Sequence, residues 1–330
     1  MDAIVCNAWG PPSSLTRETR PTPEPGPGEV RIEVHAAGVN FVDALFVAGT
    51  YQVKIPPPFV PGNELAGRVA AVGDGVQGLA VGMRVMAQIG VGAFAEQVIA
   101  PATAVHAIPD GVDMVTAAAF QLTYATALYA LRERGGLQAG ETVLVLAGAG
   151  GVGSAAIDVA RHMGARVIAA AGGEAKLEAC RQLGAEAVID YDREDLKTRV
   201  RELTDGRGAD LVVDPVGGAY SEPAVRATAW GGRFLVIGFA AGEIARIPLN
   251  LPLLRGCQIV GVDWGALSRQ RPAETAPVRD TLLQWLAAGE LRPLVTQTWP
   301  LAAAAEALDA VLARRVRGKA VLVTTALSAR

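Results

Sequence analysis

Cysteine, histidine and net charge are all scarce in this sequence, and each shortage removes a class of function. Three cysteines, Cys6, Cys180 and Cys257, are scattered through 330 residues with no C-x-x-C pair, so no disulfide framework or dithiol motif is expected. They read as buried thiols. The three histidines, His35, His106 and His162, have no partner at ligand spacing and read as structural or solvated side chains. Lys and Arg number 30 against 33 Asp and Glu, a formal charge of -3 with both signs interspersed. A nucleic-acid partner, which calls for concentrated positive charge, is therefore not expected. No apolar run reaches the roughly 18 residues that span a bilayer, and "MDAIVCNAWGPPSS" lacks the basic start and apolar centre of a signal peptide. The expectation is a cytoplasmic protein with no membrane association.

What is present is a globular composition, 51% hydrophobic and 19% charged, in a chain long enough for two domains. Residues 1–121 carry short alternating runs, "EVRIEVHA", "RVAAV" and "RVMAQ", between turn signals such as "PTPEPGPGE". This predicts small, mostly antiparallel β structure. From about Thr123 the pattern lengthens into apolar strands, "TVLVLA", "RVIAAA", "AVIDY", "DLVVDPVG", "RFLVIGF" and "QIVGV", punctuated by amphipathic helices near 152–163, 174–183 and 194–203. Six such strands with helical crossovers predict a doubly wound parallel sheet, an α/β fold of the Rossmann type. Beyond Trp264 come a helix in "PVRDTLLQWLAAGEL" and a strand in "GKAVLV", a tail that either extends the parallel-sheet domain or folds back on the first.

Between the first two strands of that sheet, Gly148, Gly150 and Gly153 fit G-x-G-x-x-G, flanked by Gly151 and Val152 at the start of a helix. The first glycine permits the tight turn, the second lets backbone approach a pyrophosphate, and the third lets helix pack on strand, while the helix offers free N–H groups to phosphate. An NAD site usually places an acid at the end of the second strand to accept from the ribose hydroxyls. Here that strand ends in Ala170, Ala171, Gly172 and Gly173, and Glu174 comes late enough to open the next helix. Lys176 on that helix either reaches a 2'-phosphate or is a solvated lysine. NADPH is the expected cofactor.

The fingerprint "AGAGGVG", the preceding "QLTYATALYAL", the later "KLEACRQLGAEAVIDY", and the N-terminal "NFVDALFVAGTY" followed by "PGNELAGRV" resemble the zinc-independent quinone oxidoreductase branch of the medium-chain dehydrogenase/reductase (MDR) superfamily. The resemblance runs from Arg31 to the closing "RGKAVLV". It implies a GroES-like catalytic domain built from both chain ends, residues 1–121 and 263–330, with a Rossmann domain, residues 122–262, inserted between them. Zinc alcohol dehydrogenases of the superfamily have Cys and His where this chain has Asn40 and Asn63, and their cysteine-rich structural lobe is missing from "AQIGVGAFAEQVIAP". Neutral amides are poor zinc ligands, so no metal is expected.

Without a metal to polarise it, the hydride acceptor must itself be electrophilic, which fits a quinone or an α,β-unsaturated carbonyl. By resemblance, Asn40, Asp43 and Tyr51 face nicotinamide and substrate, and Thr126 lies near the carboxamide. Tyr51 is the expected donor to the developing oxyanion, or else a tyrosine packed at a loop edge. Asn40 either contacts substrate or holds a loop, and Asp43 is either catalytic or a structural acceptor. The resemblance also assigns Gly173 and Tyr191 to the adenosine end, Gly238 and Phe239 to the turn beside the nicotinamide, and Arg314, with Arg315 and Arg317 as alternatives, to the 2'-phosphate. Leu45 stands where some members carry a second tyrosine, which makes the acceptor pocket more apolar. An enoyl-thioester or enone reductase, or a protein that binds NADPH without turnover, are the other readings, and a homodimer is implied by the family.

Overall fold

The computed structural model describes residues Met1–Ser328. The chain divides into two compact units, Met1–Leu122 with Val295–Arg330, and Thr123–Leu294.

In the first unit, β1 (Asp2–Val5) pairs antiparallel with β2 (Thr16–Thr19). A larger antiparallel sheet is built on β3 (Glu29–Val39), with β4 (Glu64–Val72), β5 (Arg84–Gln88), β6 (Gln97–Pro101) and β7 (Val105–Ala107). The helix α1 (Phe41–Val47) follows β3 directly. Alternating residues of β3, Val30, Ile32 and Val34, are fully buried and meet Leu65, Val69, Val85 and Phe94 in one core. This is the period-2 pattern of a strand with one face on the core.

The second unit is a six-stranded parallel sheet of β8 (Thr142–Leu146), β9 (Arg166–Ala171), β10 (Ala187–Asp190), β11 (Ala209–Asp214), β12 (Thr228–Val236) and β13 (Gln258–Gly261). The order is β10-β9-β8-β11-β12-β13, and every pairing is parallel. Strands β8 and β9 are apolar almost throughout because helices cover both faces. Strand order reverses between β8 and β11, the place where open α/β sheets bind their ligands.

The chain then re-enters the first unit through β14 (Val295–Pro300) and β15 (Lys319–Val323), and β15 inserts between β14 and β3. Segments from both ends of the chain thus build one sheet. The point of return, however, is residue 295 rather than the expected 263. Residues 263–294 stay with the parallel sheet for identifiable reasons. Trp264 packs against Tyr129 at 5.9 Å between ring centroids, and Trp285 against His162 at 4.2 Å. Arg132 Nη1 donates to Thr281 Oγ1 at 3.1 Å, and the Arg292 N–H donates to the buried Asp158 carboxylate at 2.6 Å. Val278, Leu282 and Leu286 bury one face of the helix Ala276–Ala287.

All three cysteines are buried and free, as expected. Among the described residues no helix is long and apolar enough to cross a membrane.

Candidate cofactor and acceptor sites

The glycine turn leaves β8 and opens the helix Gly151–His162, whose N-cap is Gly150. Its geometry tests whether a pyrophosphate fits. Ala147 adopts a left-handed backbone, φ 47, an uncommon state for a residue with a side chain that is typically retained where function needs it. Its carbonyl accepts the Gly150 N–H at 2.8 Å. A Cβ on Gly153 would lie 2.1 Å from that same oxygen, and one on Gly148 would lie 2.9 Å from Cys180 Sγ. Only glycine gives the helix its approach to the strand, so the first turn, including Gly151 and Val152, is left with backbone N–H groups as its polar surface. The residues fit a dinucleotide. Burial pushes the Cys180 thiol up to about 12, so it serves as inert packing under the turn.

At the far end of β9, Gly173 caps the helix Glu174–Gln182 with φ 84, and Lys176 sits in that helix's first turn, half-buried. Tyr191 follows β10 and packs on Tyr220 with centroids 4.3 Å apart. Tyr220 follows β11, so the two rings approach from strands on opposite sides of the order reversal. Gly238 and Phe239 lie just past β12. The Gly238 N–H is 3.4 Å from the Asp214 carbonyl, and Phe239 packs so close to Gly217 that a Cβ there would be 2.8 Å from its ring. Thr126 is buried on the helix Gln121–Leu128.

Sequence reasoning missed Asp214. Its buried Oδ1 accepts the N–H groups of Val216 at 2.8 Å and Gly217 at 2.9 Å, and its Oδ2 accepts from Ser221 Oγ at 2.6 Å. It holds the loop that carries Tyr220. The "DPVGG" run after an apolar strand was the available signal.

The first unit contributes the other predicted residues. Asn40 caps α1, and its N–H donates to Asp43 Oδ2 at 2.8 Å. Both polar atoms of the Asn40 side chain are bonded inside the protein. Its Nδ2 donates to Glu64 Oε1 at 3.0 Å and to the Gly38 carbonyl at 3.4 Å, and its Oδ1 accepts from Lys319 Nζ. Lys319 also donates to the Val39 carbonyl at 3.2 Å and Glu64 Oε1 at 2.8 Å, and Glu64 Oε2 accepts the Leu122 N–H at 2.9 Å. Asp43 is fully buried with Oδ1 unpartnered. Burial raises its carboxyl to about 7 against the opposing pull of the Asn40 N–H and of Lys319.

Neither Glu64 nor Lys319 was singled out from sequence. A glutamate beside the "PGN" turn and a lysine opening an apolar strand look like ordinary surface charges. Asn63 Nδ2 donates to the Gly90 carbonyl at 3.1 Å. Tyr51 lies on the loop after α1, its ring edge-on to Phe46 at 5.1 Å, and its N–H points at the Leu45 carbonyl at 3.4 Å. Trp9 braces that loop, since its indole N–H donates to the Ile55 carbonyl at 2.9 Å and its ring covers Gly49. Arg314 occupies an exposed turn after the helix Ala304–Leu312, with φ 55.

Two families match this chain. One, described as alcohol dehydrogenase GroES-like domain, covers residues 26–110, and the other, described as zinc-binding dehydrogenase, covers residues 151–282. A quinone oxidoreductase-like protein 2 homolog of Nematostella vectensis is 39% identical over 98% of this chain and 88% of its own. A quinone oxidoreductase of Pseudomonas aeruginosa is 36% identical over 96% of this chain and 97% of its own. Among solved structures, the quinone oxidoreductase of Thermus thermophilus, determined also as its complex with NADPH, superposes with a TM-score of 0.86 at 36% identity, covering 98% of this chain and 100% of that one.

Proposed function

We propose that this chain, which belongs to the quinone oxidoreductase branch of the medium-chain dehydrogenase/reductase superfamily, uses NADPH to reduce a quinone or a related α,β-unsaturated carbonyl compound. It is an oxidoreductase by that membership. The observation that carries the cofactor reading is the turn at Ala147–Gly153, where a single added methyl at Gly153 would strike the Ala147 carbonyl. NADPH, when bound, supplies the hydride. The chain's own residues bind, orient and donate. The Gly151–His162 helix N-terminus and its glycines hold the pyrophosphate, Lys176, Tyr191, Gly173 and Arg314 serve the 2'-phosphoadenosine end, and Thr126, Gly238 and Phe239 serve the nicotinamide end.

Reduction places negative charge on a carbonyl oxygen, and a positioned donor must meet it. Asn40 has both amide hydrogens committed inside the protein, which favours Tyr51 as that donor and casts Asn40 as a positioning residue. Asp43 likewise reads as a structural acceptor for Asn40. Catalysis without zinc is supported by Asn40 and Asn63, two neutral amides whose nitrogens are bonded elsewhere. The half-buried Leu45 beside Tyr51 favours apolar enones as a second acceptor class. Purified protein, NADPH and a panel of quinones and enones, followed by nicotinamide absorbance, tests the reading. NADPH binding with no oxidation across the panel would replace it with that of a nucleotide-binding protein without turnover.

The same reading includes a homodimer formed by a second copy of this chain. Strand β13 pairs on one side only, with β12. Large apolar side chains are exposed on β13 and the elements before it: Ile259 on β13, Leu253 and Leu254 on the helix Asn250–Arg255, and Trp230 on β12 at 80% exposure. Open strand edges and apolar patches of this kind are covered in the native assembly. Light scattering should report a dimer, and Ile259→Lys with Trp230→Asp should return a monomer.

A further inference from the structure

Strand β9 ends without an acid of its own, yet a carboxylate stands at its end. The strand finishes at Ala171, and a Cβ built on Gly172 would lie 2.0 Å from Asp192 Oδ2 and 2.8 Å from Asp192 Cγ. Asp192 belongs to the exit of the neighbouring strand, β10. Its carboxylate therefore fills the volume that the first atom of a side chain at 172 would occupy. The arrangement is anchored by Asp190, whose Oδ1 accepts the N–H of Asp192 at 3.2 Å and that of Gly173 at 3.4 Å, tying the two strand ends together. Glu194 Oε1 in turn accepts the Asp190 N–H at 2.8 Å. Asp192 is exposed, and its carboxylate makes no ion pair among the described residues.

The end of the second strand in a dinucleotide-binding βαβ unit is where the 2'-oxygen of the adenosine ribose arrives, and an acid there accepts from the hydroxyl of NADH. Facing a 2'-phosphate dianion, the same carboxylate is repelled. We propose that Asp192 is a cofactor-specificity determinant: it supplies from β10 the acid that β9 lacks, and so admits NADH beside NADPH. The inference rests on the dinucleotide reading above. Cofactor choice is then a balance between Lys176, which favours the phosphate, and Asp192, which opposes it.

The test is direct binding of NADH and NADPH, without acceptor, to wild type and to Asp192→Asn, by nicotinamide fluorescence titration. Wild type should bind the two with Kd values within about tenfold of each other, which corresponds to about 1.4 kcal/mol. Asp192→Asn should tighten NADPH by about tenfold and weaken NADH by about threefold, moves of opposite sign. A purely structural role for the turn shifts both affinities the same way, so a common shift, or none, overturns the proposal. If wild type binds neither nucleotide, the dinucleotide reading itself falls and this inference with it. Thermal melts without nucleotide separate misfolding from either result.

Discussion

Lys319 and Glu64 form an ion pair at 2.8 Å in which neither side chain reaches water, with 4% and 1% exposure. They are brought together from β15 and β4, and their shared cargo is the Asn40 amide. Lys319 has three acceptors for its three ammonium hydrogens, the Val39 carbonyl, Asn40 Oδ1 and Glu64 Oε1. A buried pair of this kind gains little net stability over apolar residues, but breaking it by halves strands a charge.

Removing one partner should therefore cost more than removing both. Lys319→Met and Glu64→Leu are each expected to destabilise by about 3 to 5 kcal/mol, and the double change Lys319→Met/Glu64→Leu to recover a large part of the loss. Urea unfolding of the three variants measures it. Additive losses would show that the two groups do not act as a pair.

Asp43 adds a dependence on pH. Its carboxyl, at about 7 in the fold and near 3.8 in an unfolded chain, keeps its proton in the folded state over a range where the unfolded state has lost it. The folded state binds more protons, so stability falls as pH rises from about 4 to 7, at up to about 1.4 kcal/mol per pH unit, and levels above 7. Asp43→Asn should flatten that slope and make the protein relatively more stable above pH 7. Parallel melting curves for wild type and variant across this range would rule it out.

Tyr51→Phe keeps the ring against Phe46 and removes the hydroxyl. Turnover should fall roughly 100-fold with NADPH affinity unchanged. The loss should be larger with enones than with quinones, whose reduced anion is already delocalised. An unchanged rate with both classes would reduce Tyr51 to a packing residue.

Gly153→Ala tests the cradle. With a Cβ 2.1 Å from the Ala147 carbonyl, the helix must shift. NADPH affinity should drop at least roughly tenfold, with a lower melting temperature as well. A variant that titrates like wild type would mean that the turn does not carry the cofactor.

The six strands of the parallel sheet, and β3, β4, β5 and β15 of the antiparallel one, were legible because they are apolar or alternating runs bounded by turn residues, and the cradle was legible because its glycines have a strict spacing. The return of the chain was not. The helix Ala276–Ala287 shows an apolar face in sequence, but amphipathicity says that a face is buried and not against what. Here the answer came from Trp285 on His162 and from Arg292 on Asp158.

The same limit hid the polar residues. Glu64 and Lys319 are 255 positions apart, so nothing local marks either as buried. Asp192 becomes notable only once β10 is laid beside β9. Tertiary pairing put these groups in place, and a one-dimensional pattern carries no trace of it.

Placing β15 between β14 and β3 also orders the birth of the molecule. During synthesis the sheet of Thr123–Leu294 can close as soon as its own residues emerge, whereas Ala36–Val39 of β3, paired with β4 on one side, wait for Ala320–Val323 on the other. At about 5 to 20 residues per second, the interval between those segments lasts tens of seconds. For that time one apolar edge of β3 and the buried acid Glu64 stand open, and Lys319, at the start of β15, closes both.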